Sequence, residues 1–391
     1  MERIKMKRIK LLNKIAEVGT NIFDRTKYEV SDSVEDPHAI MVRSANMHDY
    51  TYGPSLYAIA RAGAGVNNIP LDRCAEAGIV VFNTPGANAI AVKELAIAAL
   101  ILASRNIIDG IEWLKTITDD DISAAVEKGK SRFAGVEISG KTLGIIGLGA
   151  IGGMVANAAH SLDMNVIGCD PYISIEGAWR LSRSVSRAAS YDEIYEKSDY
   201  ITLHVPATKE TKNMINAESI AKMKDGVRII NLARGDLVDS DAMIAALDSG
   251  KVACYVTDFV DRKLLGHKGV IATPHLGAST AESEDNCAVM AAKHLIEYLE
   301  LGNIKNSVNY PNVSLPHTGD FRICILHRNV PAVLSKISTV ISSGNFNIEN
   351  MVNGSRGDYA YTLVEINGAL PKEYIDKIED INNVFRVRVI E

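Results

Sequence analysis

The sequence predicts an α/β protein with two doubly wound parallel-sheet domains and a smaller β-α-β-β-α-β module at its end. Three observations carry that reading. Short, near-continuous apolar runs such as Ala39–Val42 and Tyr200–Leu203 read as strands buried on both faces, as parallel sheets require. Helix-like patterns separate these runs, as βαβ units demand. The last stretch has a rhythm of its own, strand, helix, two strands, helix, strand, which is the ferredoxin-like split βαβ order.

At 391 residues the chain exceeds one hydrophobic core and suits two or three domains. Its 47% hydrophobic and 23% charged content is that of a soluble globular protein. A net charge of −6 removes the electrostatic case for nucleic acid. No apolar run approaches the roughly 18 residues that would span a bilayer, so no membrane is expected. The five cysteines are scattered with no C-x-x-C, which suggests the reducing cytoplasm. Histidines and cysteines lack ligand spacing, so no metal is expected. The basic start, M-E-R-I-K-M-K-R-I-K, is followed by no long apolar stretch or cleavage site. It reads as a solvated arm leading into a first strand at Ile9–Leu12.

Residues 1–88 carry further strand candidates at Ala39–Val42, Tyr57–Ala60 and Ile79–Phe82. Arg43 and Ser44 follow the first of these, and Arg61 follows the second. Ligands of open α/β sheets bind beyond the carboxyl ends of the strands. Guanidinium forks there suit an anionic substrate. Asn88–Arg105 reads as a long buried helix, and Ile111–Phe133 as surface.

The stretch Leu143–Gly152, L-G-I-I-G-L-G-A-I-G, follows. An apolar strand ends on Gly147, Gly149 and Gly152, at G-x-G-x-x-G spacing, and a helix pattern begins at once. This is the Rossmann-type order of a dinucleotide site. Phosphates would rest on the first helical N–H groups, at Ala150, Ile151 and Gly152. Asp170 ends the next strand about 20 residues on, where a carboxylate bonds a ribose 2′-OH and repels a 2′-phosphate. NAD is therefore favoured over NADP. Strands at Asn165–Cys169, Tyr200–Leu203, Arg228–Leu232, Ala253–Thr257 and Val270–Thr273 complete the sheet. Polar groups follow their ends: His204-Val205-Pro206, Ala233-Arg234-Gly235, Asp258, and Pro274-His275 with Gly277 beyond.

His275 sits where a base could take a hydroxyl proton, and histidine exchanges protons near neutrality. Arg234 could clamp a carboxylate. Asp258 and Asp261 are the nearest acids to support His275. Ala281–Leu301 reads as another long helix, and Asn303–Thr318 as a linker. In the last segment, strands at Asn347–Asn353 and Ala360–Ile366 flank a turn at G-S-R-G.

Taken together, G-L-G-A-I-G, C-D-P, L-H-V-P, N-L-A-R-G and T-P-H-L-G-A-S-T resemble the D-isomer-specific 2-hydroxyacid dehydrogenases. The R-S pair, A-R-A-G-A-G-V-N-N-I and the C-terminal module narrow this to the branch that acts on 3-phosphoglycerate and carries an ACT domain. The resemblance implies NAD as cofactor and an Arg–Glu–His catalytic set, with Arg234 and His275 as its first and last members. No glutamate lies between Asp258 and His275, so Asp261 stands in for it. Asp258 matches the family aspartate near the nicotinamide amide. Arg43, Ser44 and Arg61 belong to the implied substrate region, with Ala64 and Gly65 in the adjoining loop. His327, Asn329 and Asn347 match an L-serine effector site, which two ACT domains side by side could share in a homodimer or homotetramer. The expected domains are 1–88 with 276–310 for substrate, 89–275 for NAD, and 319–391 for the effector, with the cleft where the first two meet. Two other readings keep this fold: a dehydrogenase of another D-2-hydroxyacid, and a non-catalytic NAD-sensing regulator.

Overall fold

Short apolar strands alternate with helices from Lys7 to Phe82 and again from Thr142 to Ala272, and both runs fold as parallel sheets. The structure is a computed structural model and describes residues 6–318 and 321–390. The first five residues of the basic arm, and the Gly319–Asp320 start of the expected effector domain, lie outside the described residues.

The first sheet contains β1 (Lys7–Leu12), β2 (Tyr28–Ser31), β3 (Ala39–Val42), β4 (Ala58–Arg61) and β5 (Val80–Phe82), in the order β2-β1-β3-β4-β5. Every residue of β3 is buried, as an interior parallel strand should be. Sequence reading did not find β2. It is an edge strand that buries only Tyr28 fully, so it lacks the apolar run that marks its neighbours.

The second sheet is built from β6 (Thr142–Ile146), β7 (Asn165–Cys169), β8 (Ser186–Arg187), β9 (Tyr200–Leu203), β10 (Val227–Asn231), β11 (Val252–Thr257) and β12 (Val270–Ala272). Their order is β12-β11-β10-β9-β6-β7-β8, all parallel. The order turns back between β6 and β9, which is the switch point where such sheets bind ligands. β8 also escaped the sequence reading; both of its residues are exposed. Helices Ile107–Leu114 and Ile122–Gly129 bury no residue, in keeping with a surface segment.

The third sheet is antiparallel: β13 (Phe321–Arg328), β14 (Ile348–Arg356), β15 (Tyr359–Ile366) and β16 (Val384–Ile390), in the order β14-β15-β13-β16. β14 continues through Gly354, Ser355 and Arg356, where a turn was expected. The chain reverses at Gly357–Asp358, where Gly357 takes a positive φ of 55°.

The chain divides into two units, Ala89–Thr280 and Met1–Asn88 with Ala281–Glu391. The division falls at the start of helix Ala281–Leu301 rather than at 275/276. The C-terminal module, expected as a domain of its own, is packed into the same unit as the first sheet. Alternation along its strands explains how. Ile323 and Ile325 face the module's own helices, with Ile337, Ile341 and Ile378. Cys324, Leu326, Tyr361 and Leu363 face the other way and join one core with Ile9, Met41 and Phe82 of the first sheet and Leu295 of helix Ala281–Leu301.

The end of that helix is held by the module. Arg388 donates to the carbonyls of Tyr298 (2.5 Å) and Leu299 (3.2 Å), Arg322 donates to that of Leu301, and the Tyr361 hydroxyl donates to that of Gly302 (2.6 Å). Cations and donors belong at a helix C-terminus, whose last carbonyls lack partners. Arg322 also pairs with Glu365 at 2.6 Å, and both side chains are fully buried. Burial alone would raise the Glu365 pKa. Hydrogen bonds from Arg322, Thr318 and Asn350 outweigh it and hold the carboxyl at about 2.

A carboxyl lowered from its unfolded value of about 4.3 stabilises the fold above that pH and loses its contribution as pH falls through the folded value. Glu365→Gln is therefore expected to destabilise this unit by about 3–5 kcal/mol at neutral pH, because it strands a buried guanidinium. It should also flatten the acid limb between about pH 4.3 and 2, as read by urea titrations across that range.

Candidate active site

The second sheet ends in a row of candidate functional groups. Reading β12, β11, β10, β9, β6 and β7 in spatial order, the residues just past the strands are Thr273–Gly277, Asp258–Phe259, Leu232–Arg234, His204–Pro206, the glycine turn and Asp170. Parallel neighbours lie about 4.8 Å apart, so the ends carrying His275 and Arg234 are roughly 10 Å apart and the glycine turn lies two strands further on.

The turn is shaped for close approach. Gly147 has φ +91°, and a Cβ there would come 2.6 Å from the His204 carbonyl oxygen. A Cβ on Gly152 would collide with the Gly147 carbonyl. Gly149 precedes helix Ala150–His160. No side chain caps that helix, and a Cβ at Gly149 would meet nothing within 4 Å. The first-turn N–H groups at Ala150, Ile151 and Gly152 thus border an open cradle, and the residues fit a dinucleotide pyrophosphate. Asp170 reaches back to this turn, accepting from Leu148 N at 2.8 Å while its other oxygen accepts from Tyr172 N at 2.9 Å. His204 Nε2 lies 3.0 Å from Thr202 Oγ1, and burial pushes its pKa down to about 4. Its ring is therefore neutral at physiological pH and offers hydrogen bonds without charge. Val205 packs beside Gly147, and the Pro206 carbonyl accepts from Thr211 Oγ1 at 2.7 Å.

Arg234 is exposed, and its Nη1 donates to the carbonyl of Ala233 at 2.6 Å. Its turn is fixed by Asn231, which sequence reading did not single out. The fully buried Asn231 amide accepts from Ala233 N (3.1 Å) and Arg234 N (3.4 Å), and donates to the Arg234 carbonyl (2.8 Å). A polar residue ending an apolar strand was the available signal.

Asp258 is 3% exposed and holds the loop that carries His275. It accepts from Thr273 Oγ1 before the histidine, and from Leu276 N (2.8 Å) and Gly277 N (2.6 Å) after it. His275 itself adopts φ +57° and is exposed. Its ring lies against Phe259, with centroids 4.8 Å apart and planes at 56°.

Asp261 is committed elsewhere. It accepts from Lys263 N and Leu264 N at 2.9 Å each, and a Ser240 hydrogen bond leads the interactions that lower its pKa. Among the described residues no hydrogen bond joins it to His275. The expected acid–histidine pair is absent because the short aspartate arm caps its own turn. No group of three histidine, cysteine or acidic residues among the described residues could hold a metal ion.

The expected substrate residues gather at the C-terminal edge of the first sheet, past β3 and β4. Arg43 pairs with Glu284 at 2.6 Å, both being nearly half exposed. Arg61 donates Nε to the Arg43 carbonyl (2.9 Å) and Nη1 to the Gly65 carbonyl, so its guanidinium ties two strand-end turns together. Asn83 Nδ2 donates to the Ala64 carbonyl at 2.6 Å, and Ser44 N donates to Asn13 Oδ1 at 3.2 Å.

In the third sheet, His327 is 3% exposed, with Nε2 2.9 Å from Thr362 Oγ1 and Nδ1 2.9 Å from the Arg328 carbonyl. Asn329 Nδ2 donates to the Gly357 carbonyl at 3.1 Å. Asn347 precedes β14, whose Ile348 is in register with Ile366 and, through it, with Phe321. Asn329 follows β13 at the opposite end, so about 20–25 Å of strand separates the two asparagines within one chain.

A model of the D-isomer specific 2-hydroxyacid dehydrogenase NAD binding domain matches residues 97–277. D-3-phosphoglycerate dehydrogenase 1 of Saccharomyces cerevisiae is 32% identical over 414 residues, covering 96% of this chain and 85% of its own. The D-3-phosphoglycerate dehydrogenase of Haemophilus influenzae is 33% identical over 385 residues, covering 93% and 88%. Among solved structures, NAD+-bound 3-phosphoglycerate dehydrogenase of Entamoeba histolytica matches with a TM-score of 0.61 and 28% identity, over 78% of this chain and 99% of that one.

The turn geometry separates two glycine variants. Gly149→Ala is expected to keep its melting temperature while dinucleotide affinity falls by about tenfold, since only the ligand's space is filled. Gly152→Ala is expected to lose stability itself, because the added methyl strikes backbone. Thermal melts paired with NAD titrations check both.

Proposed function

The chain belongs to the D-isomer-specific 2-hydroxyacid dehydrogenases, and on that premise we propose that it oxidises the C2 hydroxyl of 3-phosphoglycerate to 3-phosphohydroxypyruvate. This is the entry step of serine synthesis. The observation that carries the reading is the row of strand ends that sets His275, Arg234 and the glycine turn along one edge of one sheet. NAD, when bound, supplies the acceptor for the hydride leaving C2. Ala150, Ile151 and Gly152 would hold its phosphates and Asp170 its ribose, while His204, Val205, Pro206, Ala233, Asp258 and Gly277 line its path.

A His275 ring nitrogen takes the hydroxyl proton, and the alcohol carbon becomes the ketone as hydride departs. Arg234, exposed on a fixed turn, forks onto the substrate carboxylate and orients C2. Arg43 and Ser44 contribute to substrate binding. Arg61 is assigned the shaping of the Ala64–Gly65 loop, because its donors already meet carbonyls.

The same reading gives the C-terminal module an L-serine effector site. Amides offer a zwitterion both donors and acceptors. Asn329 and Asn347 stand at opposite ends of one sheet, so one ligand can meet both only if two modules lie antiparallel. The place of β14 at the edge of its sheet suits such an arrangement in a homodimer or homotetramer. His327 acts from behind, holding the end of β13 through Thr362.

Purified protein should form NADH from 3-phosphoglycerate with a kcat/KM well above that for glycerate. His275→Asn is expected to lower kcat by about 10²–10⁴-fold. Binding of NAD without turnover of any 2-hydroxyacid would favour the sensor instead. L-serine is expected to inhibit, and Asn329→Ala should raise the concentration for half inhibition by about tenfold. Activity at serial serine concentrations decides this.

A further inference from the structure

His275 presents a problem of restraint. Its backbone is clamped on both sides by Asp258 and held at φ +57°, a region that non-glycine residues occupy only when their surroundings impose it. The clamp stops at the backbone and leaves the side-chain torsions free. Among the described residues no hydrogen bond reaches the imidazole, and the acid expected to orient it is occupied in its own turn. The ring contact is with Phe259.

Phe259 is itself fixed. Its N–H donates to Thr257 Oγ1 at 3.0 Å, and the Thr257 hydroxyl in turn lies 3.3 Å from the Phe259 carbonyl oxygen. Thr257 is fully buried at the end of β11. Phe259 also abuts the turn that carries Arg234. A Cβ built on Gly235 would come 3.3 Å from the Phe259 Cβ, tighter than ordinary contact. Phe259 therefore touches the turn of the guanidinium through its Cβ and the imidazole through its ring.

We infer that Phe259 is the positioning residue of the reaction proposed above: packed at its Cβ against Gly235 and at its ring against His275, it holds the imidazole in place where a carboxylate would otherwise do so. This rests on the dehydrogenase reading for its consequence, although the contact stands apart from it. A phenyl ring restrains the imidazole by packing and leaves both its nitrogens open to substrate. When the ring has taken the hydroxyl proton, the neighbouring π-system still attracts the cation. Loose positioning of a reacting group costs about a hundredfold for a displacement near 1 Å. Small shifts of the ring should therefore appear in kcat.

The test uses the full chain with Phe259→Ala, Phe259→Leu, Phe259→Tyr, Gly235→Ala and Asp261→Asn. Two readouts are taken: steady-state kinetics with 3-phosphoglycerate, and the His275 imidazole resonances in protein carrying 13C-labelled histidine, assigned with His275→Asn. Phe259→Ala is expected to lower kcat by about ten- to a hundredfold while KM, the NAD dissociation constant and the melting temperature stay within twofold or a few degrees. Phe259→Leu should fall between, Phe259→Tyr should restore most of kcat, and Asp261→Asn should stay near wild type. Gly235→Ala, which presses on the Phe259 Cβ, should lower kcat in the same direction. In the spectra, the ring-current displacement of His275 should vanish in Phe259→Ala and persist in Phe259→Tyr. Retention of kcat in folded Phe259→Ala, a tyrosine variant as impaired as the alanine one, or an unmoved His275 resonance would each overturn the inference. Wild-type protein that never reduces NAD would instead overturn the proposed function, and the resonances would then decide the Phe259 contact alone.

Discussion

Backbone N–H groups that pass the end of a parallel sheet lose their ladder partners, and a buried donor without an acceptor is costly. The second sheet meets this constraint with one device used three times. Asp170, just past β7, accepts from Leu148 N in the turn after β6. Asn231, the last residue of β10, accepts from Ala233 N and Arg234 N in the turn it begins. Asp258, just past β11, accepts from Leu276 N and Gly277 N after β12. Each short polar side chain fixes a turn that carries a candidate functional group. Long side chains would reach further but lose more rotamer freedom when held.

The unit that holds the first and third sheets solves a different problem. A four-stranded sheet with helices on one face leaves the other face apolar. Here the core of the first sheet and helix Ala281–Leu301 cover it. The buried Arg322–Glu365 pair lies among those contacts, and Arg322 also reaches the carbonyls of Leu315 and Pro316 in the linker. Such a pair adds little net energy over an apolar pair of equal volume, but it tolerates only one docking geometry. The module is thereby fixed to the helix end that its cations cap.

Much of this was legible in the sequence, for local reasons. The glycine turn needs only residues within ten positions of one another, and interior strands announce themselves as unbroken apolar runs. β2 and β8 did not, because an edge strand with one wet face carries no such run. The shared core was also illegible: alternation shows that a strand has two faces, but not what covers the second. Arg61 looked like an anion clamp from its place after a strand. Only coordinates show its donors turned to the carbonyls of Arg43 and Gly65.

The row of strand ends shows where pattern reading and physical chemistry part. A motif is a claim about position along the chain, and T-P-H placed His275 where the sheet edge needs it. What orients a side chain once placed is a matter of neighbours in space, and D-F-V-D shows this in four residues. Its first aspartate clamps the backbone past the next strand, its phenylalanine meets the imidazole, and its second aspartate caps its own turn. Charge alone would have ranked Asp261 above Phe259 as the partner of His275. Placement reverses the ranking: among the described residues the aspartate, held in its own turn by two backbone N–H groups, makes no hydrogen bond to the imidazole, whereas a phenyl group on a backbone anchored by a buried threonine lies against it.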